Sequence, residues 1–324
     1  MDLPAETQIR WILRTTATLL EYGAEPVRGL VQPSAEFFPD VFDGSPKAVE
    51  AVLARVQEHA GLADVPVQLA VVAPDGEVKT SGCSSGACGK GIALGEKLER
   101  ATQLPDGAYR VAVSVGEVMN AVALTTAFVR AVSFMFLTES DAMKALPRPD
   151  REPAVDLAAV LLGFGVLAAN GSYIYAKGCG GVQVHSATRM PVDEVTLALA
   201  IFCKLHQIPD RLAEKHLQVT PRAHFEESAV WAASNAQLVR MLREDRARVA
   251  ADDYAIGESR SWLARALGIG KKRARGADDD LAALERALPA DAKTGAKDRE
   301  RKIDPERAAK LAELRSLVDE SLGS

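Results

Sequence analysis

Residues 119–137, MNAVALTTAFVRAVSFMFL, and residues 154–169, AVDLAAVLLGFGVLAA, decide how this chain folds. Each is long enough for a helix and rich in the helix-favouring Ala, Leu and Met. The first holds one charge, Arg130, and the second holds one, Asp156. A helix that is apolar all round is either a central core helix or a membrane span. Both segments lie near the lower length limit for a span. Arg130 falls near the middle of the first, where a charge is costly, and the flanks lack a one-sided basic cluster and an aromatic belt. The core reading is therefore preferred over a membrane hairpin. An unpaired buried cation is too costly to leave alone. Arg130 calls for a carboxylate, with Asp156 the first candidate and Glu152 the second; the competing reading puts Arg130 at the helix surface, in water.

The rest of the chain supports a large, mostly helical protein. Of 324 residues, 48% are hydrophobic, enough for a sizeable core, and only 5% are aromatic. The net charge of −5 gives no global basic field, so nucleic acid is not an expected partner. Met1-Asp2-Leu3-Pro4-Ala5-Glu6 lacks the basic start and apolar stretch of an export signal. With four cysteines, this predicts a cytoplasmic protein with reduced thiols rather than a disulfide framework.

Hydrophobic periodicity predicts an amphipathic helix over 7–22, with Ile9, Ile12, Leu13, Leu19 and Leu20 on or near one face and Gly23 as its stop. Residues 32–46 hold two Phe side by side, three prolines and an Asp-Gly turn, which reads as a rigid loop pinned by its aromatics. Ser45 and Pro46 then cap and start a helix over 47–60, ended by Gly61. Residues 67–72 (VQLAVV) and 110–115 (RVAVSV) read as strands, with 78–80 as a weaker one. Residues 81–91 and 171–190 read as glycine-containing loops, 191–206 as a third core helix, and 221–250 as one long helix. After about residue 251 the chain becomes highly charged, with a basic run at 271–275, an acidic run at 278–280, and an apolar stripe of Ala309, Leu311, Leu314 and Leu317 in a helix predicted over 303–322. This divides the chain into a domain over 1–250 and a charged, partly disordered tail over 251–324.

Several local motifs go further. Residues 33–40 (PSAEFFPD), the turn Phe42-Asp43-Gly44-Ser45, and the helix 156–170 (DLAAVLLGFGVLAAN) occur in that order. Across about residues 27–245 this resembles a family of uncharacterised bacterial proteins with a zinc-metallopeptidase-like, or zincin-like, core. The resemblance implies an α+β fold, predominantly helical, with a small sheet and buried central helices. It also implies a helix carrying His-Glu-x-x-His, two histidines one turn apart that hold zinc with the intervening glutamate as base. Here the five histidines are His59, His185, His206, His216 and His224, and no two stand four apart. Where the motif belongs, the chain reads Ala127-Phe128-Val129-Arg130-Ala131-Val132. Apolar groups and a cation replace imidazoles and a carboxylate, so zinc peptidase chemistry is not expected. In the resembling family the acidic region around 152–156 supplies or supports the metal site. Arg130 with Asp156 or Glu152 is then expected to fill the vacated site as an ion pair.

Cys83 and Cys88 form a C-x₄-C in the first glycine-rich loop, and Cys179 precedes His185 by six residues in the second. The resemblance puts both loops beside the cleft. Three thiols and an imidazole suit tetrahedral zinc or another soft metal. Free thiols and a labile Cys83–Cys88 disulfide are the competing readings. Cys203 lies within an apolar helix and reads as core, and His59, His206, His216 and His224 read as surface residues. Gly86–Gly91 lacks the spacing of a phosphate-binding P-loop. Two functions from different classes follow. One is a degenerate metallopeptidase-like binding or structural protein that needs no cofactor and meets another protein through its tail. The other is a metal- or thiol-dependent enzyme using Cys83, Cys88 and Cys179.

Overall fold

Both apolar segments become interior helices in a computed structural model of the protein, which describes residues 3–72, 99–178 and 181–257. The first is α4, Ala121–Glu139. Asn120 starts it by accepting a hydrogen bond from the Ala123 amide at 3.0 Å. The second is a longer interrupted helix: α6, Arg151–Ala159, a π-helical turn at Val160–Phe164, and α7, Gly165–Gly171. Two thirds (67%) of the most apolar window of α4 and all (100%) of that of the second helix are buried inside the protein. The partner for their apolar surface is therefore protein, as a core helix requires.

The second segment is not the single smooth helix the sequence predicts. Gly163 adopts φ +98°, outside helical space. The cause is the passage of the irregular segment 29–31 across it. The Val31 amide donates to the Gly163 carbonyl at 2.9 Å. A Cβ at Gly163 would lie 2.1 Å from the Gly29 carbonyl oxygen. Only glycine allows both the positive φ and that approach. The pattern around Gly163 marks where another backbone crosses.

Helix α1, Glu6–Glu21, buries the face the periodicity picks out, Ile9, Ile12, Leu13, Leu19 and Leu20. Helix α2, Pro46–Ala60, starts where Ser45 accepts from the Ala48 amide and ends at Gly61 with φ +73°. Between them the aromatic loop is held by a residue that sequence reading places at the surface. His59 is only 5% exposed; its Nε2 lies 2.9 Å from the Phe37 carbonyl, and the rings of Phe37 and Phe38 meet it edge-on at 5.6 Å each. One ring nitrogen is thus used on the loop backbone, while the other, Nδ1, is buried without a partner among the described residues.

The main sheet has three strands in the order β1-β3-β2. β1, Val67–Val72, runs parallel to β3, Tyr109–Ser114, from Val67↔Tyr109 to Val72↔Ser114. β2, Ala101–Gln103, is antiparallel to β3, with Ala101 opposite Val111. Patterning finds β1 and β3 but not β2, which is three residues long and carries no alternation to read. The expected strand at 78–80 and loop at 81–91 lie outside the described residues. The sheet feeds through α3, Val115–Val118, and α5, Ala142–Ala145, follows α4.

A second sheet corrects the loop expected over 171–190. β4, Ile174–Gly178, and β5, Gly181–His185, form an antiparallel hairpin with Ile174 opposite His185. α8, Val192–Leu205, is the expected third core helix. After α9, Asp210–Glu214, the predicted single helix over 221–250 is three: α10, Val219–Ser234, α11, Ala236–Glu244, and α12, Arg246–Ala250. The first break falls at Asn235, whose side chain turns away from the helix axis to grip another segment. It accepts from the Gly257 amide at 2.7 Å and donates to the Trp231 carbonyl at 3.1 Å. Residues 251–257 thus belong to the packed body, and Tyr254 and Ile256 lie against the core. The chain divides into a unit of Met1–Ile269 and a unit of Gly270–Ser324, and the second lies outside the described residues, as do the predicted charge runs and terminal helix.

Among the described residues there are two large apolar cores and a small third cluster of Ala123, Ile174 and Ala187. One large core joins α1, α8, α10 and α11; the other joins α2, the main sheet and α4. The interrupted helix stands between them. Leu157, Val160, Leu161 and Val166 enter the first core, while Ala159, Leu162, Phe164 and Leu167 enter the second. The protein is therefore a helix-rich α+β fold around central helices.

Candidate functional site

Arg130 lies midway along α4 and Asp156 midway along α6, the two charges of the two apolar segments. The side chain of Asp156 is fully buried and that of Arg130 is 8% exposed. Arg130 Nε donates to Asp156 Oδ1 at 2.6 Å. The other oxygen, Oδ2, accepts from the backbone amides of Arg189 at 2.5 Å and Met190 at 2.9 Å. Asp156 thus binds three elements together: its own helix, α4, and the segment leading from β5 into α8. Burial pushes its carboxyl above the ordinary range, and Arg130 and the two amides pull against that shift. With every contact an N–H donor, the geometry suits a carboxylate.

Glu152, one turn before Asp156, is a different kind of partner. Its Oε2 accepts from Arg130 Nη2 at 3.2 Å and stands 3.8 Å from Arg189 Nε. Its side chain is 67% exposed, and that of Arg189 is 51% exposed. The site therefore has a tight, buried floor and a loose, exposed mouth. Both carboxylates weighed from the sequence meet Arg130, one at each level.

The residues beside Arg130 on α4 are mostly hydrocarbon, with the buried hydroxyls of Thr126 and Ser133 one turn away on its own face. Ala127, Phe128, Ala131 and Val132 are at most 1% exposed. No imidazole or thiol accompanies them, and among the described residues no group of three or more His, Cys, Asp or Glu is placed to hold a metal ion. Of the cysteine–histidine set, Cys83, Cys88 and Cys179 lie outside the described residues. His185 ends β5, half-buried, and its Nε2 has no hydrogen-bond partner among the described residues. Cys203 is buried in α8, where burial pushes its thiol up to about 12, so it is inert core.

Sequence reasoning does not find the amides of Arg189 and Met190. Backbone donors leave no mark in side-chain type, and the segment reads only as loop. The Arg189 side chain carries a weak signal, a cation next to buried Thr188 and Met190. Two other polar pairs, one ionic and one a phenol–carboxylate hydrogen bond, are structural. Glu117 is fully buried, closes a capping box with Ser114, and accepts from Arg100 Nη1 at 2.7 Å. Tyr109 donates to Glu139 Oε1 at 2.6 Å, tying β3 to the end of α4.

No protein-family model, curated protein or solved structure matches this chain. The reading of the site therefore rests on its own chemistry.

Proposed function

We propose that the protein is a catalytically degenerate, zincin-like scaffold of the cytoplasm that acts as a binding or structural module. The observation that supports this reading is the occupancy of the helix in which the resemblance expects zinc ligands. Arg130 fills the position between α4 and α6, and Asp156, the nearest buried carboxylate, has both oxygens taken by N–H donors. A buried carboxylate that already accepts three N–H bonds keeps at most one acceptor position, and a guanidinium beside it repels a dication. The charged segment after residue 257 is the part expected to meet another protein, with no cofactor required.

The test is elemental analysis of the purified, reduced protein alongside hydrolysis of mixed peptide substrates. Substoichiometric zinc and no cleavage are expected. One zinc per chain that is lost on substitution within α4 overturns the proposal. A second reading, metal- or thiol-dependent chemistry at Cys83, Cys88 and Cys179, draws on the Nε2 of His185, which has no hydrogen-bond partner among the described residues. It requires bound metal, or thiols reacting unlike free cysteine, that vanish in Cys83→Ser.

A further inference from the structure

The two carboxylates at Arg130 differ in a way a purely structural pair does not need. Asp156 is buried and held by three N–H donors at 2.5–2.9 Å. Glu152 is two-thirds exposed, touches Arg130 Nη2 at 3.2 Å, and stands 3.8 Å from Arg189 Nε. Asp156 alone already compensates the buried guanidinium. Glu152 therefore adds little stability; exposed ion pairs of this kind contribute about 0–1 kcal/mol.

We infer that Glu152 occupies an anion seat between Arg130 and Arg189 that takes a ligand carboxylate in its place. This rests on the reading above, in which α4 holds an arginine instead of metal ligands. Three observations support it. The space fits a carboxylate, because one is there. Its floor is a fixed cation, since Asp156 holds Arg130 through Nε and leaves the Nη2 edge turned to the mouth. Arginine presents parallel N–H groups that match carboxylate geometry better than a lysine would. Exchange also conserves charge: Glu152 swings into water as the incoming anion enters, and no new charge is buried. The ligand class is a carboxylate on a short flexible stem, as in a glutamate-like small acid or an acidic side chain of a peptide. Glu152 acts as an internal competitor that keeps affinity modest.

The test uses the full chain with ¹⁵N-labelled arginine. The probe is N-acetylglutamate at constant ionic strength, with inorganic phosphate as a second arm. In wild type the Nε–H signals of Arg130 and Arg189 are expected to shift saturably. In Glu152→Gln the same signals should saturate at about three- to fivefold lower concentration, because the competitor's charge is gone. Arg189→Ala, an exposed substitution that leaves the Arg130–Asp156 pair intact, should weaken binding by about as much. Phosphate outcompeting N-acetylglutamate would reject the carboxylate assignment. Equal affinity in wild type and Glu152→Gln, or shifts that rise linearly without saturation, would overturn the seat altogether. Those results leave the scaffold reading standing, whereas a zinc at α4 removes both.

Discussion

Removing one member of the Arg130–Asp156 pair takes away the other's buried counter-charge, leaving Arg130 only the exposed Glu152 and Asp156 only two backbone amides. Breaking such a pair costs about 3–5 kcal/mol, while replacing both members often costs far less. Arg130→Met and Asp156→Asn are each expected to lose stability in that range by denaturant unfolding. The double variant should lose at least about 1 kcal/mol less than the sum, since the two share one interaction. Additive losses would mean the two charges do not depend on each other. A second residue carries a pH signature. His206 follows α8, with its ring on Phe202 at a centroid distance of 4.6 Å and a buried Nε2 without a partner among the described residues. Desolvation lowers its pKa, with Arg243 acting in the same direction and Glu25 against it. The folded state thus binds the proton less tightly than the unfolded chain. Its stability is full above the ordinary histidine value of about 6.5 and falls as pH drops below it. The melting temperature should decline from about pH 7.5 to about pH 5.5, and His206→Phe should flatten that decline. Equal slopes in the two proteins would remove His206 from the account.

Elements show what a single sequence can and cannot specify. Helices α1, α2, α4 and α8 and strands β1 and β3 follow from periodicity and caps that act within a few residues, such as Ser45 at the start of α2 and Gly61 at its end. The departures arise where a distant segment intrudes. Gly29 to Val31 cross Gly163 and break α6 from α7; Gly257 claims the Asn235 side chain and breaks α10 from α11; and β4 and β5 pair across the glycine-containing stretch read as loop. The candidate site divides the same way. Arg130, Asp156 and Glu152 were legible because a lone charge in an apolar helix demands a partner. The amides of Arg189 and Met190 were not, because any residue type supplies an amide. Gly163 offers the sharpest test at this scale. Alanine there meets both a positive φ and a carbonyl oxygen 2.1 Å from its Cβ. Strain and overpacking together should cost about 2–4 kcal/mol. Gly107→Ala, also at positive φ but with nothing within 4 Å of the new Cβ, should cost only the conformational part, about 1 kcal/mol. Similar losses at the two positions would deny the crossing backbone any role.

At the scale of the whole molecule, the interrupted helix makes two cores into one cooperative unit. Between Leu157 and Val166 the helix sends Leu157, Val160, Leu161 and Val166 into one cluster and Ala159, Leu162 and Phe164 into the other, so neither core closes without it. Phe164 is fully buried in the core of α2 and the main sheet, and Phe202 is fully buried in the core of α1 and α8. Truncating a buried phenylalanine to alanine costs about 3–5 kcal/mol through lost burial and the cavity left behind. If the cores were independent, each substitution would lower protection against hydrogen exchange on its own side only. With a shared helix, Phe164→Ala must also loosen α8, and Phe202→Ala must also loosen β3, each within a single thermal transition over the described body. Two separated transitions, or loss of protection confined to one side, would show that the central helix divides the cores. The same arrangement explains why α4 and its neighbour carry so little charge. A helix stretch enclosed by protein has no polar face to offer, and the buried charges these helices keep, Arg130 and Asp156, are used to hold their neighbours in place.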